Sequence, residues 1–468
     1  MTPASRSCQP HGVAPLPRVC VIGAGSSGIA AVKALHERGF EPDCFEASDR
    51  VGGNWVFKNS NGMSAAYREL HINTSRERME YSDYPMPKSY PDFPHHTQIA
   101  AYFDGYVDHF GFRDRIRFGT AVRHARHATE GTGWELELAS GEVGSYDALI
   151  VANGHHWDER WPEPAFPGHD TTQIQQLHAH AYRSDESLRG KDVVVVGMGN
   201  SAMDIAVESS YVARSTHLSA RRGVWVTPKY LLGRPTDQLR NDPRVPFRVR
   251  RWVVEKLLLA QVGPMERYGL PKPDHRYGEA HPTVSGRILD RLGHGMVSPR
   301  PDVARLHERE VEFTDGTRVP CDVIVYCTGY KITFPFFDED LVSAPDNHIE
   351  LFRRVFHPAY ADLAFAGLLQ PLGAIMPLSE AQGQWIADYL HGEYALPNPA
   401  AMREDIRRDQ AAMRKRYVTS KRHTIQVDFD DYLLDLDKER AAGAERARAA
   451  GYRPPVAAGA AAGAGVAA

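Results

Sequence analysis

A short apolar run that leads directly into a glycine-rich turn constrains the fold of this chain more than any other feature. The run Val19–Ile22 precedes Gly23, Gly25 and Gly28, and a helical pattern follows at about 29–38. The spacing G-x-G-x-x-G suits a tight turn, the approach of a pyrophosphate to the backbone, and close packing of a helix on a strand. The N-terminus of such a helix directs free N–H groups and a positive dipole end toward the pyrophosphate. The stretch therefore predicts a strand, a phosphate-binding loop and a helix.

An acidic residue about twenty positions after this loop supports a dinucleotide site. Residues 43–46 are typical of the next strand and end in Glu46, where a ribose hydroxyl needs an acceptor. The neighbouring pair Gly52 and Gly53, followed by Trp55, suits close approach of the backbone to a bound ligand with an aromatic ring packed over it. A simple turn would use the same residues.

The same pattern occurs a second time. Asp192–Val196 leads into Gly197 and Gly199, with alanine at the last small-residue position. The strand that follows ends in Arg221 and Arg222 instead of an acid. A guanidinium matches a 2′-phosphate, whereas a carboxylate accepts from a 2′-hydroxyl. We therefore predict FAD at the first loop and NADPH at the second, the alternative for the two arginines being a solvated surface pair.

Two apolar runs that end in small-residue turns, at 146–154 and 321–330, predict where the chain passes between domains. We predict an α/β protein with two Rossmann-like, glutathione-reductase-like domains, the NADPH-binding domain being inserted into the FAD-binding domain. The predicted divisions are a disordered leader (1–16), a discontinuous FAD-binding domain (17–160 and 328–438), an NADPH-binding domain (161–327) and a disordered Ala/Gly-rich tail (439–468).

Smaller elements are also predicted. Residues 116–138 favour a small antiparallel excursion, 97–110 a core-facing helix, and 310–317 a strand entering a hairpin with an Asp-Gly turn. Residues 227–300 are the least informative. Their arginine run at 240–251 favours a solvated charged face beside a core helix at 252–259, with a membrane contact or a cover over the active site as alternatives.

The composition excludes several classes of protein. The chain has 468 residues and a formal net charge of -4 at pH 7, so it has no electrostatic reason to bind nucleic acid or an acidic membrane. None of the five cysteines forms a close CxxC pair, which argues against a flavin disulfide reductase and favours a reducing compartment. No run approaches the roughly twenty apolar residues of a membrane span, and the histidines lack metal-ligand spacing. We predict a soluble, cytoplasmic protein with no integral membrane segment and no metal site.

Taken together, these residues resemble the flavin-containing monooxygenases. The resemblance covers about residues 19 to 434 and includes the loop Asn73-Thr74-Ser75, the turn at 327–330 and the longer stretches 367–377 and 416–426. It implies an NADPH- and O₂-dependent enzyme of the N,N-dimethylaniline type, which uses a flavin C4a-hydroperoxide to oxygenate amine nitrogen or sulfide sulfur. It also implies a homodimer, and the lack of the C-terminal membrane-associating tail of eukaryotic members favours a soluble, bacterial type.

The resemblance places Asn73 beside the flavin as the candidate catalytic residue. Its neutral amide donates a hydrogen bond without releasing a proton, although by itself the residue is typical of a turn. The cofactor-binding residues that the motifs and the resemblance imply are Gly23, Gly25, Ser26, Ser27, Gly28, Glu46, Gly52, Gly53, Trp55, Asn73, Thr74, Gly197, Gly199, Asn200, Ser201, Ser219, Arg221, Arg222, Thr328, Gly329 and Gln370.

The chain departs from the family's linker signature, FxGxxxHxxx followed by Phe or Tyr. His178 and Tyr182 keep its end, but Thr172 and Ile174 occupy the Phe and Gly positions. Tyr182 in place of tryptophan is unlike the Baeyer–Villiger relatives. A Baeyer–Villiger-type ketone monooxygenase, and a flavin- and NADPH-binding redox sensor or NADPH oxidase, are the alternative functions.

Overall fold

The computed structural model describes residues 15–128, 133–239, 244–417 and 424–456. Up to residue 160 its strands are β1 (Val19–Ile22), β2 (Asp43–Phe45), β3 (Ile116–Arg117), β4 (Val122–His127), β5 (Trp134–Leu138), β6 (Val143–Tyr146), β7 (Ala148–Val151) and β8 (Asp158–Glu159). The next are β9 (Gln175–His178), β10 (Asp192–Val196), β11 (Ser215–Ser219), β12 (Val226–Thr227), β13 (Tyr230–Leu231), β14 (Arg234–Pro235), β15 (Thr283–Val284), β16 (Ser298–Arg300), β17 (Val303–Leu306), β18 (Glu310–Phe313), β19 (Arg318–Pro320) and β20 (Val323–Tyr326). The last are β21 (Tyr330–Lys331), β22 (Leu363–Phe365), β23 (Gln370–Leu372) and β24 (Gln426–Asp428).

The α-helices include those predicted at about 29–38, 97–110 and 252–259. They are α1 (Ser26–His36), α2 (Arg76–Met79), α3 (His96–His109), α4 (Asn200–Val212), α5 (Phe247–Gln261), α6 (Gly286–Gly293), α7 (Met376–His391), α8 (Pro399–Arg416) and α9 (Phe429–Ala449). Among the described residues, no helix is both long enough and apolar enough to cross a membrane.

Two parallel sheets organise these elements. The first is five-stranded in the order β22-β7-β1-β2-β3, and the second is five-stranded in the order β16-β11-β10-β20-β9. Strands β1, β7, β10 and β20 are buried along their whole length, as apolar strands covered on both faces are. In such sheets ligands bind outside the carboxyl ends of the strands, which is where both glycine loops lie. The predicted fold class is confirmed.

The connectivity is that of one unit inserted into another. The first sheet takes β1, β2, β3 and β7 from the chain before the second sheet, and β22 from the chain after it. The two connecting segments run side by side, because β8 pairs antiparallel with β21, Glu159 facing Tyr330. Each parallel sheet is accompanied by a three-stranded antiparallel sheet, β4-β5-β6 or β17-β18-β19, and both were predicted as antiparallel segments.

The end of the chain differs from the prediction of disorder after Glu439. Helix α9 continues to Ala449, and the prediction is therefore wrong for the described residues up to 456. Small side chains permit this packing. A Cβ on Gly443 would lie 1.8 Å from the ring of Tyr394, and Ala447 is buried. Residues 457–468 of the predicted tail and 1–14 of the predicted leader lie outside the described residues.

The basic run and the predicted core helix at 252–259 agree with their prediction only in part. Arg248 is exposed as predicted, but Trp252 of the helix is exposed as well. The guanidinium of Arg250 lies 3.1 Å from an oxygen of Asp431, and that of Arg251 pairs with Glu279 at 2.5 Å. Both arginines are largely shielded, so they are ion-paired instead of forming a solvated face. Arg240 of this run lies outside the described residues.

Candidate active site

The first glycine loop has the geometry of a ligand cradle. Gly23 adopts φ +99°, and a Cβ there would lie 2.7 Å from the carbonyl oxygen of Ala152, so this position requires glycine. A Cβ on Gly28 would lie 1.8 Å from the carbonyl oxygen of Gly23, which explains the close packing of helix on turn. Gly25, by contrast, has an ordinary φ of -72°, and a Cβ there would meet only Gly53 Cα at 3.8 Å. Space beside the loop at Gly25 is therefore open.

The two glycines at 52 and 53 close over this loop. Gly52 adopts φ +123° and donates its N–H to the carbonyl oxygen of Ala24 at 3.0 Å. A Cβ on Gly53 would lie 3.2 Å from the Cα of Gly25. Trp55, which ends the short 3₁₀ turn that follows, packs against the core of the first sheet. The structure thus brings these separately predicted glycines together.

Glu46 follows β2 and reaches back to the same loop. One of its carboxylate oxygens accepts from the N–H of Ala24 at 2.7 Å, and the other accepts from the N–H of Ser48 at 2.7 Å. A carboxylate has about four lone-pair sites, so it retains capacity for a ribose hydroxyl. The acid therefore also fixes the loop's backbone, a role that the sequence pattern does not show.

The second glycine loop resembles the first at its first glycine. Gly197 adopts φ +129°, and a Cβ there would lie 2.6 Å from the carbonyl oxygen of Cys327. Helix α4 begins at Asn200, whose Oδ1 accepts from the N–H of Val284 at 2.8 Å. The hydroxyl of Ser219, at the end of β11, donates to the carbonyl oxygen of Pro301 at 2.8 Å. The side chains of Asn200 and Ser219 thus also hold neighbouring segments against the loop.

Both helices that follow the loops begin without a side-chain cap. Gly25 is the N-cap of α1 and Gly199 that of α4, and neither helix has an acid in its first turn. The first N–H groups of an α-helix have no partner within the helix, and they bind anions. Ser26, Ser27 and Ser201 lie in these first turns. Two uncapped helix N-termini at glycine loops fit two pyrophosphates.

The loop with Asn73 is fixed on both sides. The N–H of Ile72 donates to the carbonyl oxygen of Pro94 at 3.1 Å, and both the N–H and the hydroxyl of Ser75 donate to Oδ2 of Asp237 at 2.8 Å. Thr74 is buried. Asn73 is half-buried, and its side chain makes no hydrogen bond with any residue in the described part of the chain. Its amide is therefore available to a ligand.

Comparison with known proteins decides the family. Residues 17–445 match the family described as flavin-binding monooxygenase-like. Flavin-containing monooxygenase 5 of Cavia porcellus is 38% identical over 431 residues, which cover 88% of this chain and 80% of the relative. This chain is a flavin-binding monooxygenase-like protein.

Two further similarities agree with that assignment. Dimethylaniline monooxygenase [N-oxide-forming] 2 of Pan troglodytes is 33% identical over 444 residues, which cover 90% of this chain and 82% of the relative. The structure of S-allyl-L-cysteine S-oxygenase from Allium sativum has a TM-score of 0.68 at 24% identity, and the match covers 92% of each chain. The latter similarity concerns the fold.

FAD and NADPH are the cofactors of this monooxygenase family. The residues present fit both. The open space at Gly25 and the uncapped start of α1 suit the FAD pyrophosphate, and the uncapped start of α4 suits that of NADPH. When bound, FAD accepts hydride from NADPH and activates O₂, while the protein supplies position and electrostatics.

A cavity lies beside one of the two arginines that are predicted to bind the NADPH ribose phosphate, and this role stays a prediction. It has a volume of about 470 Å³, lies between the ends of β11 and β16, and is lined by residues that include Ala220, Arg221, Arg300 and Asp302. Arg221 and Arg222 are both exposed. Arg300, which the sequence analysis did not single out, also lines this cavity, and its guanidinium lies 5.9 Å from the ring centroid of Phe313. Burial, followed by the charge of Arg300, lowers the pKa of the neighbouring His217 to about 4.

Replacing both Arg221 and Arg222 by alanine is expected to weaken NADPH binding roughly 10- to 100-fold, because a hydrogen bond to a charged group contributes about 1.5–3 kcal/mol. NADH, which lacks the 2′-phosphate, is expected to bind unchanged. The measurement is the anaerobic rate of flavin reduction against the concentration of each nucleotide. Arg189→Ala, which removes another exposed arginine of the same unit, is the control. An equal loss for NADH would contradict recognition of the phosphate by these arginines.

The remaining predicted residues are Thr328 and Gly329, in a segment that connects the two sheets, and Gln370 of β23. The hydroxyl of Thr328 donates to the carbonyl oxygen of Arg160, and the carbonyl oxygen of Gly329 accepts from the N–H of Arg160 at 3.0 Å. Gln370 begins β23, and its N–H donates to the carbonyl oxygen of Ile425 at 2.9 Å. These hydrogen bonds are structural, and the contact of the three residues with a cofactor stays a prediction.

The two linker residues that differ from the family signature, Thr172 and Ile174, both contact neighbouring segments. The hydroxyl of Thr172 donates to the carbonyl oxygen of His307 at 2.7 Å, and Ile174 is buried against the second sheet. Tyr182 is buried, and its hydroxyl donates to Glu208 of α4 at 2.5 Å. Burial raises the pKa of Glu208 to about 7. The linker is thus attached to the helix of the second loop.

Proposed function

We propose that this flavin-dependent monooxygenase oxygenates soft nucleophiles, forming N-oxides from amines and sulfoxides from sulfides. The observation that carries the proposal is the free amide of Asn73 on a loop fixed by Pro94 and Asp237. The name of the Pan troglodytes relative includes N-oxide formation, and the alignment with that relative covers 90% of this chain at 33% identity. A neutral donor in a fixed position stabilises developing negative charge on oxygen without delivering a proton.

In this proposal, the residues of the chain have the following roles. The N-termini of α1 and α4 bind the two pyrophosphates, and Arg221 and Arg222 select NADPH. Gly52 and Gly53 allow the backbone to approach the first cofactor closely. Asn73 donates its side-chain N–H to the reacting oxygen. The proposed catalytic machinery contains no protein nucleophile and no metal.

The test uses the flavin-loaded protein, NADPH and ¹⁸O₂ with three substrates: a thioether, a tertiary amine and a cyclic ketone. The expected result is a sulfoxide and an N-oxide, each with one ¹⁸O atom and about one product molecule per NADPH. Catalase in each assay removes free peroxide as an oxidant. A lactone from the ketone without sulfoxide would establish the Baeyer–Villiger alternative. NADPH oxidation without any oxygenated product, with H₂O₂ found in parallel assays that lack catalase, would establish an oxidase or a sensor.

We also propose that the protein works in the cytoplasm as a homodimer. Cys20, Cys44, Cys321 and Cys327 are all free thiols, as is usual in a reducing compartment. The dimer rests on the resemblance to the family, and light scattering of the purified protein would test it. A mass of about 52.2 kDa in solution would contradict a dimer.

A further inference from the structure

The segment 227–300, whose sequence predicted no site, contacts the loop that carries Asn73. Asp237 accepts from Ser75 on one side of Asn73, as described above. On the other side, Nζ of Lys229 donates to the carbonyl oxygen of Ile72 at 3.1 Å. Asn73 therefore lies between two residues whose backbones are held by side chains of the NADPH-binding unit.

Lys229 is itself held in place. Its Nζ lies 4.7 Å from the ring centroid of Phe93, a distance at which an ammonium is attracted to the face of the ring. The charged groups that act on Lys229 are Asp204, which favours its ammonium form, and Arg287, which opposes it. Burial lowers the pKa of Lys229. The side chain thus occupies a largely protein-lined position and makes a directed contact with Ile72.

Asp204 extends this network to the NADPH-binding helix. It lies on α4, which begins at the second glycine loop. It also accepts from the hydroxyl of Tyr67 at 2.5 Å. Tyr67 precedes the Asn73 loop in sequence, so both Tyr67 and Ile72 of this segment are attached to the NADPH-binding unit. The attachment at Ile72 is the one next to Asn73.

We propose that Lys229 is a positioning residue that holds the backbone at Ile72 and thereby presents the amide of Asn73 to the reacting oxygen. The catalytic part of this inference rests on the proposed function of Asn73. Lys229 also connects the Asn73 loop to the unit that binds NADPH, so the loop is ordered by that unit and not by the FAD-binding unit alone.

The first test is independent of turnover. Hydrogen exchange of the backbone amides in residues 70–76 is measured on the flavin-loaded protein without NADPH. Lys229→Met removes the donor but keeps most of the side chain's length, and we expect exchange in this segment to rise roughly tenfold, since the backbone at Ile72 loses a hydrogen bond from a charged group. Lys229→Arg is expected to restore most of the protection. Lys256→Met, which alters an exposed lysine of α5, is the matched control. Unchanged exchange in Lys229→Met would overturn the proposal.

The second test measures coupling, the fraction of NADPH oxidised that yields sulfoxide instead of H₂O₂. Lys229→Met is expected to lower coupling roughly tenfold, while the anaerobic rate of flavin reduction by NADPH stays within about twofold. Combining it with Asn73→Ala is expected to add no further loss, because both changes remove one function. An additive loss, or slower reduction with intact coupling, would overturn the proposal. Failure of the wild-type protein to form sulfoxide would instead refute the proposed function, and the exchange experiment would still decide the role of Lys229.

Discussion

Asn73→Ala is expected to separate NADPH consumption from oxygenation. The substitution removes a side-chain donor that no described residue of the protein uses, so the fold loses no hydrogen bond. Removing one preorganised donor to a developing oxyanion lowers rates by roughly 100- to 1,000-fold. Formation of sulfoxide or N-oxide should fall by about this factor, while NADPH is still oxidised and H₂O₂ appears in its place.

The measurement compares product, peroxide and NADPH in the same reaction. Asn398→Ala is the matched control, because Oδ1 of Asn398 accepts from the N–H of Ala401 at 2.9 Å and caps α8, far along the chain from the loops. Loss of such a cap costs about 1 kcal/mol of stability. This variant should unfold at lower temperature and still couple NADPH to product. If Asn73→Ala retained full coupling, Asn73 would have no part in the reaction.

Gly25→Ala is expected to prevent tight FAD binding without damaging the apoprotein. The added Cβ would lie 3.8 Å from the Cα of Gly53, an ordinary contact, and φ at this position is -72°. The protein alone therefore tolerates alanine. A pyrophosphate that approaches the backbone at Gly25 does not, because overpacking by one methyl group costs about 1–3 kcal/mol. The dissociation constant of FAD should rise roughly 10- to 100-fold.

Substitutions at two other glycines serve as controls that distinguish an effect on cofactor binding from an effect on folding. Gly23→Ala should destabilise the apoprotein itself, since its Cβ would lie 2.7 Å from the carbonyl oxygen of Ala152 at φ +99°. Gly293→Ala should leave FAD binding unchanged without destabilising the apoprotein, because a Cβ there would meet nothing within 4 Å and alanine favours the helix that Gly293 ends. Thermal unfolding of the apoproteins and FAD titration measure the two properties. Tight FAD binding by Gly25→Ala would refute the assignment of this loop to the pyrophosphate.

Local sequence patterns predicted the parts of the site that short stretches of backbone build. The glycines at 23 and 197 are required by positive φ and by one close carbonyl, so their spacing along the chain was sufficient to identify both loops. The change from Glu46 to Arg221 and Arg222 after the second strand of each unit is likewise a local pattern, and it predicts two different nucleotides. Within each unit, the glycine loop and the charged residue that follows the second strand lie within a few tens of residues of each other.

The segment 227–300 was uninformative because its contacts are distant in sequence. Asp237 contacts Ser75 across 162 positions, and Lys229 contacts Ile72 across 157. No periodicity or spacing marks a residue whose partner belongs to another unit of the fold. The prediction of disorder for the Ala-rich end was wrong for a related reason. Its small residues look like low complexity, yet Gly443 and Ala447 lie where only small side chains fit beside Tyr394 and the core.

The sequence by itself determined the two glycine loops, the buried strands that precede them and the family, because backbone conformation and strand burial depend on residues close together in the chain. Only the tertiary structure decided that Glu46 also holds the backbone at Ala24, and that Lys229 and Asp237 hold the loop around Asn73. Side-chain hydrogen bonds of this kind depend on how separate elements pack against one another. That packing is a property of the folded chain as a whole.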